Sequence, residues 1–302
     1  MGHFLAAELS AAYPHAALFG TTYGAVKGLD SSLSMALMEA DLRDPVRLRQ
    51  VIAHANPTHV FHLAGFASAA GMDTALMYAA NVDTVVTLVT ALQERKQPCR
   101  LHLASTGYVY GTTQPGRPAA ESHALHPEGV YAQSKARMEE VIAPLARDYV
   151  SLTVTRAFNQ TGPRQTPVFV VPGFARQLAR IEKGLEAPLV RVGNLEAKRD
   201  FLDVRDAARA YRLLLCELDP VPWRVVNVAS GESVTIQSVL ECLIAQTQVS
   251  VEVQVDPERL RPSDMPDCVG DPTLLCALTG WRKSIPFTDT LRETLDWWRS
   301  QE

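Results

Sequence analysis

Tyr131 and Lys135 are separated by four positions, a spacing that places both side chains on one face of a helix, one turn apart. A tyrosine hydroxyl can exchange a proton with a substrate oxygen, but its free pKa of ~10 hinders this near neutral pH. A nearby ammonium group stabilises the phenolate and lowers that pKa. The pair therefore indicates proton transfer at an oxygen atom. Two common residues at a fixed spacing also occur by chance, so the surrounding segments must show whether this pair is a catalytic motif.

Short apolar runs alternate with helical patterns in the first half of the chain. The candidate strands cover residues 16–20, 59–64, 100–105 and 151–156, and the helical patterns cover residues 44–55, 74–94 and 132–143. This alternation implies right-handed crossovers and a parallel sheet with helices on both faces. We therefore predict a doubly wound α/β fold, in which ligands bind at the carboxyl ends of the strands.

The second half is less regular and is rich in proline and glycine loops, with a strand at 225–228 and a helix from about residue 288. It predicts a smaller C-terminal lobe. We place the main domain in residues 1–160 and the lobe mainly in residues 161–302, with some segments returning to the sheet.

Composition excludes several classes of protein. The chain has 302 residues, 47% apolar and 21% charged, as in a soluble globular protein. A net charge of −4 argues against wholesale binding to nucleic acid or an anionic membrane. We see neither a signal peptide nor an apolar run near the ~18 residues that a membrane span needs. Five scattered cysteines without a metal-binding pattern predict reduced thiols in a cytoplasmic protein without a metal site.

Four further segments appear in a fixed order around the Tyr131–Lys135 pair. Residues 105–111 read STGYVYG, residues 62–65 read HLAG, Asn81 stands at the head of a predicted helix, and Asp41-Leu42 precedes another helix. With YAQSK at 131–135, this order and spacing resemble the extended short-chain dehydrogenase/reductase superfamily, also called the NAD-dependent epimerase/dehydratase family. The resemblance implies a Rossmann-like, NAD(P)-binding main domain and a nucleotide-sugar-binding lobe.

The resemblance assigns roles to these residues. Thr106 would hydrogen-bond the reacting oxygen, Tyr131 would exchange its proton, and Lys135, together with a positive nicotinamide ring, would lower the Tyr131 pKa. Asn81 would have a structural and proton-relay role. The residues implied to bind the cofactor are Gly2, Thr21, Asp41, Leu42, Leu63, Ala64, Gly65, Asn81, Ala104, Ser105, Tyr131, Lys135 and Phe158.

The beginning of the chain departs from that pattern. A dinucleotide fold opens with a strand and a glycine-rich turn, whereas this sequence starts in a helical stretch with Gly2 in the place of the third glycine. We therefore expect either an N-terminally shortened form of a normal enzyme, without its first strand, or a remnant that binds cofactor poorly.

The residues after the first candidate strand bear on the choice of cofactor. Residues 20–23 read GTTY, with Lys27 beyond and no carboxylate to repel a 2′-phosphate. This favours NADP or dual use over strict NAD.

The second half resembles GDP-4-keto-6-deoxymannose reductases. Residues 156–163 read RAFNQTGP, similar to the RPFNHTGP run of that family, and similar segments follow at 169–177, 191–195, 198–206 and 261–264. The resemblance implies reduction of GDP-4-dehydro-6-deoxy-D-mannose to GDP-D-rhamnose (GDP-6-deoxy-D-mannose). Arg199 and Arg261 would bind the diphosphate, since arginine binds phosphate in a planar fork. The residues implied to bind substrate are Ser68, Thr106, Asn159, Val170, Arg176, Arg191, Arg199, Arg261 and Asp264.

Other activities of the superfamily need groups that this sequence lacks. Dehydratases place an acid at the position of Tyr108, and the epimerase-reductase that makes the L-fucose nucleotide needs a suitably placed cysteine and histidine. A UDP- or dTDP-sugar epimerase or reductase, and a non-catalytic nucleotide binder, remain as alternatives. The family also implies a homodimer, paired through a four-helix bundle of the helices at 81–92 and 131–143. Pro144 predicts a kink or an early end of the second of these helices.

Overall fold

The computed structural model describes residues 1–24, 35–66, 73–114, 116–260 and 265–302. The helices are α1 (Gly2–Ala12), α2 (Pro45–Ala55), α3 (Thr74–Tyr78), α4 (Thr84–Glu94), α5 (Gly129–Ile142), α6 (Val170–Glu182), α7 (Val204–Arg212), α8 (Ile236–Ile244), α9 (Thr273–Thr279) and α10 (Phe287–Gln301). The strands are β1 (Leu18–Thr22), β2 (Met35–Glu39), β3 (His59–His62), β4 (Cys99–Thr106), β5 (Val150–Ala157), β6 (Asn159–Thr161), β7 (Leu189–Val192), β8 (Lys198–Asp203), β9 (Trp223–Val228), β10 (Ser233–Thr235), β11 (Glu252–Val255) and β12 (Asp267–Cys268).

Parallel strands form the centre of the main domain. β3, β4, β5 and β9 lie side by side in that order, all parallel, and β1 and β2 form a separate parallel pair. Among the described residues, no hydrogen-bonded ladder joins β1 to β3. The predicted α/β class with a Rossmann-like parallel sheet is confirmed.

The sheet is covered by helices on both faces, and its central strands β4 and β5 are buried along most of their length. Leu101, Leu103 and Leu152 are fully buried, and they pack with side chains of α2, α4 and α5. A second cluster, which joins α1, α7 and α9 to β9, includes Leu5 and the fully enclosed Tyr211. The first cluster packs β4 and β5 against these helices, and the carboxyl ends of the two strands lead into the site.

A further core lies in the C-terminal half, where α6, α8 and α10 pack around β7 and β8. β8 pairs with β10, β12 and β6, and β7 pairs with β11. Strand β9, which also belongs to this half of the chain, pairs in parallel with β5 of the main sheet. The boundary between residues 160 and 161 stays a prediction.

Local corrections to the predicted elements are small, with two exceptions. The predicted strand at 16–20 lies two residues further on, as β1, and β2 was not predicted. The expected continuous helix at 74–94 is divided, because a π-helical turn over Ala79–Asp83 joins α3 to α4. Such turns are rare and occur frequently at functional sites. Helix α5 ends at Ile142, as expected from Pro144, and a 3₁₀ turn over Ala143–Leu145 follows.

The segment Thr74–Glu94 is long and apolar enough to cross a membrane by length and composition alone, and 56% of its most apolar window is buried inside the protein. Its apolar positions, among them Val85, Leu88 and Leu92, pack in the core below the sheet. The segment is therefore a core helix of this fold.

Candidate active site

A cleft of about 940 Å³ opens between the carboxyl ends of β4 and β5 and the C-terminal half. It is lined by many of the residues predicted to bind cofactor or substrate. These are Leu63, Ala64, Gly65, Ala104, Ser105, Thr106, Tyr131, Lys135, Phe158, Asn159, Val170 and Arg199. The cleft therefore lies where a doubly wound sheet places its ligand.

The three predicted catalytic residues meet on one wall of this cleft. Thr106 is the last residue of β4, and Tyr131 and Lys135 lie in the first two turns of α5. The side chain of Thr106 lies near that of Tyr131 and opposes the effect of burial on its pKa. Lys135 Nζ donates a hydrogen bond of 2.8 Å to the backbone carbonyl oxygen of Ala104. The predicted Tyr–Lys face and the strand end are thus in direct contact.

Burial determines the protonation states of Tyr131 and Lys135. It raises the pKa of Tyr131 to about 12, against the opposing effect of Thr106. It lowers the pKa of Lys135 to about 8, against the opposing charge of Glu139. Near neutral pH both residues therefore hold their protons. The expected lowering of the Tyr131 pKa depended partly on a positive nicotinamide ring, and the protein groups alone do not produce it.

Asn81 connects the turn after β3 to helix α5. Its Oδ1 accepts from the backbone nitrogen of Phe66 at 3.1 Å, and its Nδ2 donates to Ser134 Oγ at 3.0 Å. Ser134 Oγ in turn donates to the backbone oxygen of Tyr131 at 2.8 Å. Gly65 has a φ of +138°, and a Cβ there would lie 2.5 Å from Asn81 Oδ1. This close approach requires glycine.

A second polar group contains the predicted residues Asn159 and Arg199 together with Tyr108, which was not predicted as a site residue. The hydroxyl of Tyr108 donates to Asn159 Oδ1 at 2.9 Å, and the Arg199 guanidinium lies near this hydroxyl. Arg199 is 9% exposed and donates through Nη1 to the backbone oxygen of Met265 at 2.6 Å. Burial raises the pKa of Tyr108, so its hydroxyl stays neutral. The position of Tyr108 two residues after Thr106 is the one sequence signal that could have indicated it.

Several predicted site residues lie away from the lining of the cleft. Arg176 forms an ion pair of 2.6 Å with Glu302, and Arg191 is exposed on β7. Asp41 pairs with Arg43 at 2.7 Å. Thr21, Leu42 and Gly2 are also outside the lining, although Met1 and His3, on either side of Gly2, border the cleft. Their roles stay predictions. Ser68, Arg261 and Asp264, with Lys27, lie outside the described residues.

The lining residues fit a dinucleotide. Ala64 and the side-chain-free Gly65 border the cleft beside Lys135, whose Nζ lies 3.7 Å from a Cβ position at Gly65. The first turn of α1 contributes Met1, His3 and Phe4 to the lining. Free backbone N–H groups and the helix dipole make such a terminus favourable for phosphate. Lys135 and Tyr131 would therefore face the nicotinamide half and α1 the pyrophosphate.

This fold and site define an extended short-chain dehydrogenase/reductase. The profile of the family described as GDP-mannose 4,6 dehydratase matches residues 21–294, and the chain belongs to that family. The GDP-6-deoxy-D-mannose reductase of Pseudomonas aeruginosa is 34% identical to it over 249 residues, which cover 81% of each chain.

Two solved structures illustrate the likeness of the fold. The RMD protein from Pseudomonas aeruginosa, complexed with NADPH, superposes with a TM-score of 0.83 at 30% identity, covering 99% of this chain and 96% of that one. The UDP-glucose 4-epimerase of Thermus thermophilus, complexed with NAD, gives a TM-score of 0.87 at 28% identity, covering 100% of this chain and 96% of that one.

Proposed function

We propose that the chain is a cytoplasmic NAD(P)H-dependent reductase of the 4-keto group of a GDP-sugar, GDP-4-dehydro-6-deoxy-D-mannose, and that it forms GDP-D-rhamnose (GDP-6-deoxy-D-mannose). The observation that carries the proposal is the meeting of Thr106, Tyr131 and Lys135 on one wall of the cleft, with Lys135 Nζ held 2.8 Å from the backbone oxygen of Ala104. The similarity to a GDP-6-deoxy-D-mannose reductase supports the choice of substrate.

The mechanism follows from the protonation of the site. Bound NAD(P)H would supply a hydride to C4 of the sugar. Negative charge then develops on the ketone oxygen, and Tyr131, which keeps its proton near neutral pH, is the acid that neutralises it. Thr106 orients that oxygen toward the phenol. The Lys135 ammonium stabilises the phenolate that remains. Asn81 and Ser134 hold the start of α5 so that Tyr131 stays in reach.

The residues around Thr106 favour reduction over dehydration. Removing water needs an additional acid and base, and the position that the dehydratases use for an acid holds Tyr108, whose neutral phenol is bonded to Asn159. Among the described residues that line the cleft, the one carboxylate is Glu258, which belongs to the turn Pro257–Arg259 after β11. Proton transfer at this site therefore depends on Tyr131.

The nucleotide half of the substrate is assigned to the cationic side of the cleft. Arg164, Arg199 and Arg259 border it, and a diphosphate carries two negative charges that guanidinium groups bind well.

We propose NADP as the preferred cofactor because of two residues near the strand ends. Tyr23 follows β1 and Arg43 follows β2, and the Arg43 guanidinium lies 5.4 Å from the centroid of the Tyr23 ring. The NADPH complex of the similar Pseudomonas aeruginosa protein supports this choice.

The test is oxidation of NADPH, followed by its absorbance, after addition of the 4-keto GDP-sugar, with product identified by mass spectrometry and NMR. Protection against thermal unfolding by GDP, UDP and dTDP, compared side by side, separates this proposal from a UDP- or dTDP-sugar enzyme. Binding of GDP and NADPH without any turnover would leave the non-catalytic binder and overturn the reductase.

A further inference from the structure

A buried carboxylate lies one helical turn beyond Lys135. Glu139 on α5 is 4% exposed. Its Oε1 accepts from Ser105 Oγ at 2.5 Å, and its Oε2 accepts from Arg156 Nη2 at 2.7 Å and Nε at 3.1 Å. Nothing in the proposed chemistry uses this residue, yet its two partners lie at the ends of the strands that form the site.

The partners of Glu139 belong to two adjacent strands. Ser105 and Arg156 face each other in the register of β4 and β5. A single carboxylate on α5 therefore connects that helix to two directly opposite residues at the ends of both strands. Because Thr106 follows Ser105 directly, and Tyr131 lies two helical turns before Glu139, this contact fixes the separation between two side chains that line the cleft.

Glu139 is also placed between two cations. Lys135 precedes it by four residues on the same helix face, and the ionised Glu139 opposes the effect of burial on the pKa of Lys135. Arg156 cannot lose its proton, and it also donates to Tyr110 Oη at 2.9 Å and to the backbone oxygen of Glu121 at 3.3 Å. A guanidinium anchored in this way holds the carboxylate of Glu139 in place.

We propose that Glu139 is a positioning residue, which locks α5 onto the ends of β4 and β5 and provides the negative charge beside the buried Lys135. It acts through Lys135 and Thr106 and does not itself touch the substrate. The catalytic part of its test rests on the proposed reductase activity, whereas its effect on Lys135 is measured without turnover.

Few other titratable groups face this pair. His62 on β3 lies near Lys135, and burial lowers its pKa to about 3, so it is neutral at the pH of the test. Tyr131 on α5 and Tyr110 after β4 are held protonated by burial, which raises the pKa of each. Arg156 on β5 is permanently charged. Between pH 6 and 10, Lys135 is therefore the group that titrates in this cluster.

The direct test is the titration of Lys135 in protein labelled with ¹³C at the lysine ε-carbons. The chain has six lysines, and the Lys135 signal is assigned by its loss in Lys135→Met. In Glu139→Gln, which keeps the shape and an oxygen acceptor for Ser105, we expect the pKa of Lys135 to fall by at least about one unit, as loss of a close opposite charge predicts. The matched control is Glu140→Gln, the neighbouring residue, which is exposed and pairs with Arg137.

Arg156→Gln gives the opposite expectation. It removes the competing cation, so the Lys135 pKa should rise while the titration of the other five lysines is unchanged. If Glu139→Gln does not fold because Arg156 is left unpaired, Glu139→Gln/Arg156→Met leaves no unpaired charge and should still lower the pKa of Lys135. An unchanged Lys135 titration in these variants would overturn the proposal.

Activity supplies an independent readout. The alkaline limb of kcat/KM for the 4-keto GDP-sugar should move to lower pH in Glu139→Gln, with the affinity for GDP unchanged. A uniform loss of rate at every pH, with an unshifted limb, would indicate a purely structural role and overturn the proposal. If the unmodified chain reduces no 4-keto sugar while the NMR shifts appear as expected, the proposed function fails and the assignment of Glu139 stands.

Discussion

The side-chain nitrogen of Lys135 donates a hydrogen bond of 2.8 Å to the backbone carbonyl oxygen of Ala104. Ala104 lies two residues before Thr106 on β4, so one strand both holds the lysine and presents the threonine to the cleft. Lys135 is 6% exposed, and burial lowers its pKa to about 8. The ammonium is therefore fixed in place at a site where it can lose its proton in mildly alkaline solution.

We expect kcat/KM for ketone reduction to decline above about pH 8, because neutral Lys135 no longer stabilises the phenolate that forms on Tyr131. In Lys135→Arg the guanidinium keeps its charge, so this alkaline decline should disappear even if the rate at neutral pH is lower. Rate profiles of both proteins between pH 6 and 10 check the prediction. The same decline in both would mean that another group titrates.

Tyr131→Phe removes the proposed acid while the ring and its packing remain. Reduction should fall by at least about 100-fold, the lower end of what general acid catalysis contributes, and the affinity for GDP should change little because Tyr131 lies on α5 near the end of β4 and not among the arginines. Tyr149→Phe, at an exposed tyrosine, is the control. Turnover of Tyr131→Phe within tenfold of the parent would contradict the assignment.

The strands and the catalytic pair were predictable because their signals are local. β4 and β5 contain short runs of apolar residues, and Tyr131 and Lys135 share a helix face by spacing alone. The π-helical turn over Ala79–Asp83 was not predictable from a 3.6-residue period, and its Asn81 contacts Phe66, 15 positions earlier in the chain. Contacts between distant parts of the chain were missed for the same reason.

The bond between Tyr108 and Asn159 spans 51 positions of sequence, and that between Ser105 and Glu139 spans 34. Resemblance identified Asn159 and Ser105, but only the packed strands and α5 show what each one contacts. Conversely, Arg176 was expected at the substrate and is paired with Glu302 at the C-terminus, because α6 turns that side chain toward α10. Sequence pattern does not specify which face of a lobe closes over a cleft.

Arg199→Ala should weaken the binding of a GDP-sugar by at least about tenfold, since a desolvated charge-assisted contact contributes ~1.5–3 kcal/mol. Arg199 borders the cleft near Tyr108. Arg292→Ala is the matched control, because Arg292 is exposed on α10 outside the lining. Calorimetric titration with GDP compares both variants with the parent. Equal affinity of the parent and Arg199→Ala would remove Arg199 from the phosphate site.

The homodimer stays a prediction, but the structure changes which side chains of α4 and α5 would form its interface. The apolar positions of α4 and α5, including Val85 and Met138, are already buried within one copy of the chain, and the outward positions include the polar Thr90, Gln133 and Arg137. A pair of these helices from two copies would therefore meet through polar and small side chains. Sedimentation equilibrium at micromolar concentration should give twice 33.1 kDa. A single species at 33.1 kDa would exclude the dimer.

Two buried histidines should make the fold sensitive to acid. His62 and His102 lie on β3 and β4, and burial lowers the pKa of each to about 3. His62 Nε2 and His102 Nδ1 are buried, and no hydrogen-bond partner for either is found among the described residues. Neither ring therefore gains a counter-charge that would let it accept a proton while folded.

The direction of the effect follows from proton binding. Between about pH 6.5 and pH 3 the unfolded chain binds a proton at each histidine and the folded chain does not, so stability falls as the pH is lowered through this range. The loss is at most about 1.4 kcal/mol per pH unit for each residue.

The test is His102→Gln, whose side chain can still bond Thr155 as the imidazole does. Urea unfolding followed by circular dichroism at pH 7, 6 and 5 should show a shallower decline in the free energy of unfolding than in the parent. His15→Gln, at an exposed histidine, should decline as the parent does. If His102→Gln loses stability as steeply as the parent over these two pH units, then carboxylates and not the buried imidazoles control the acid sensitivity of the fold.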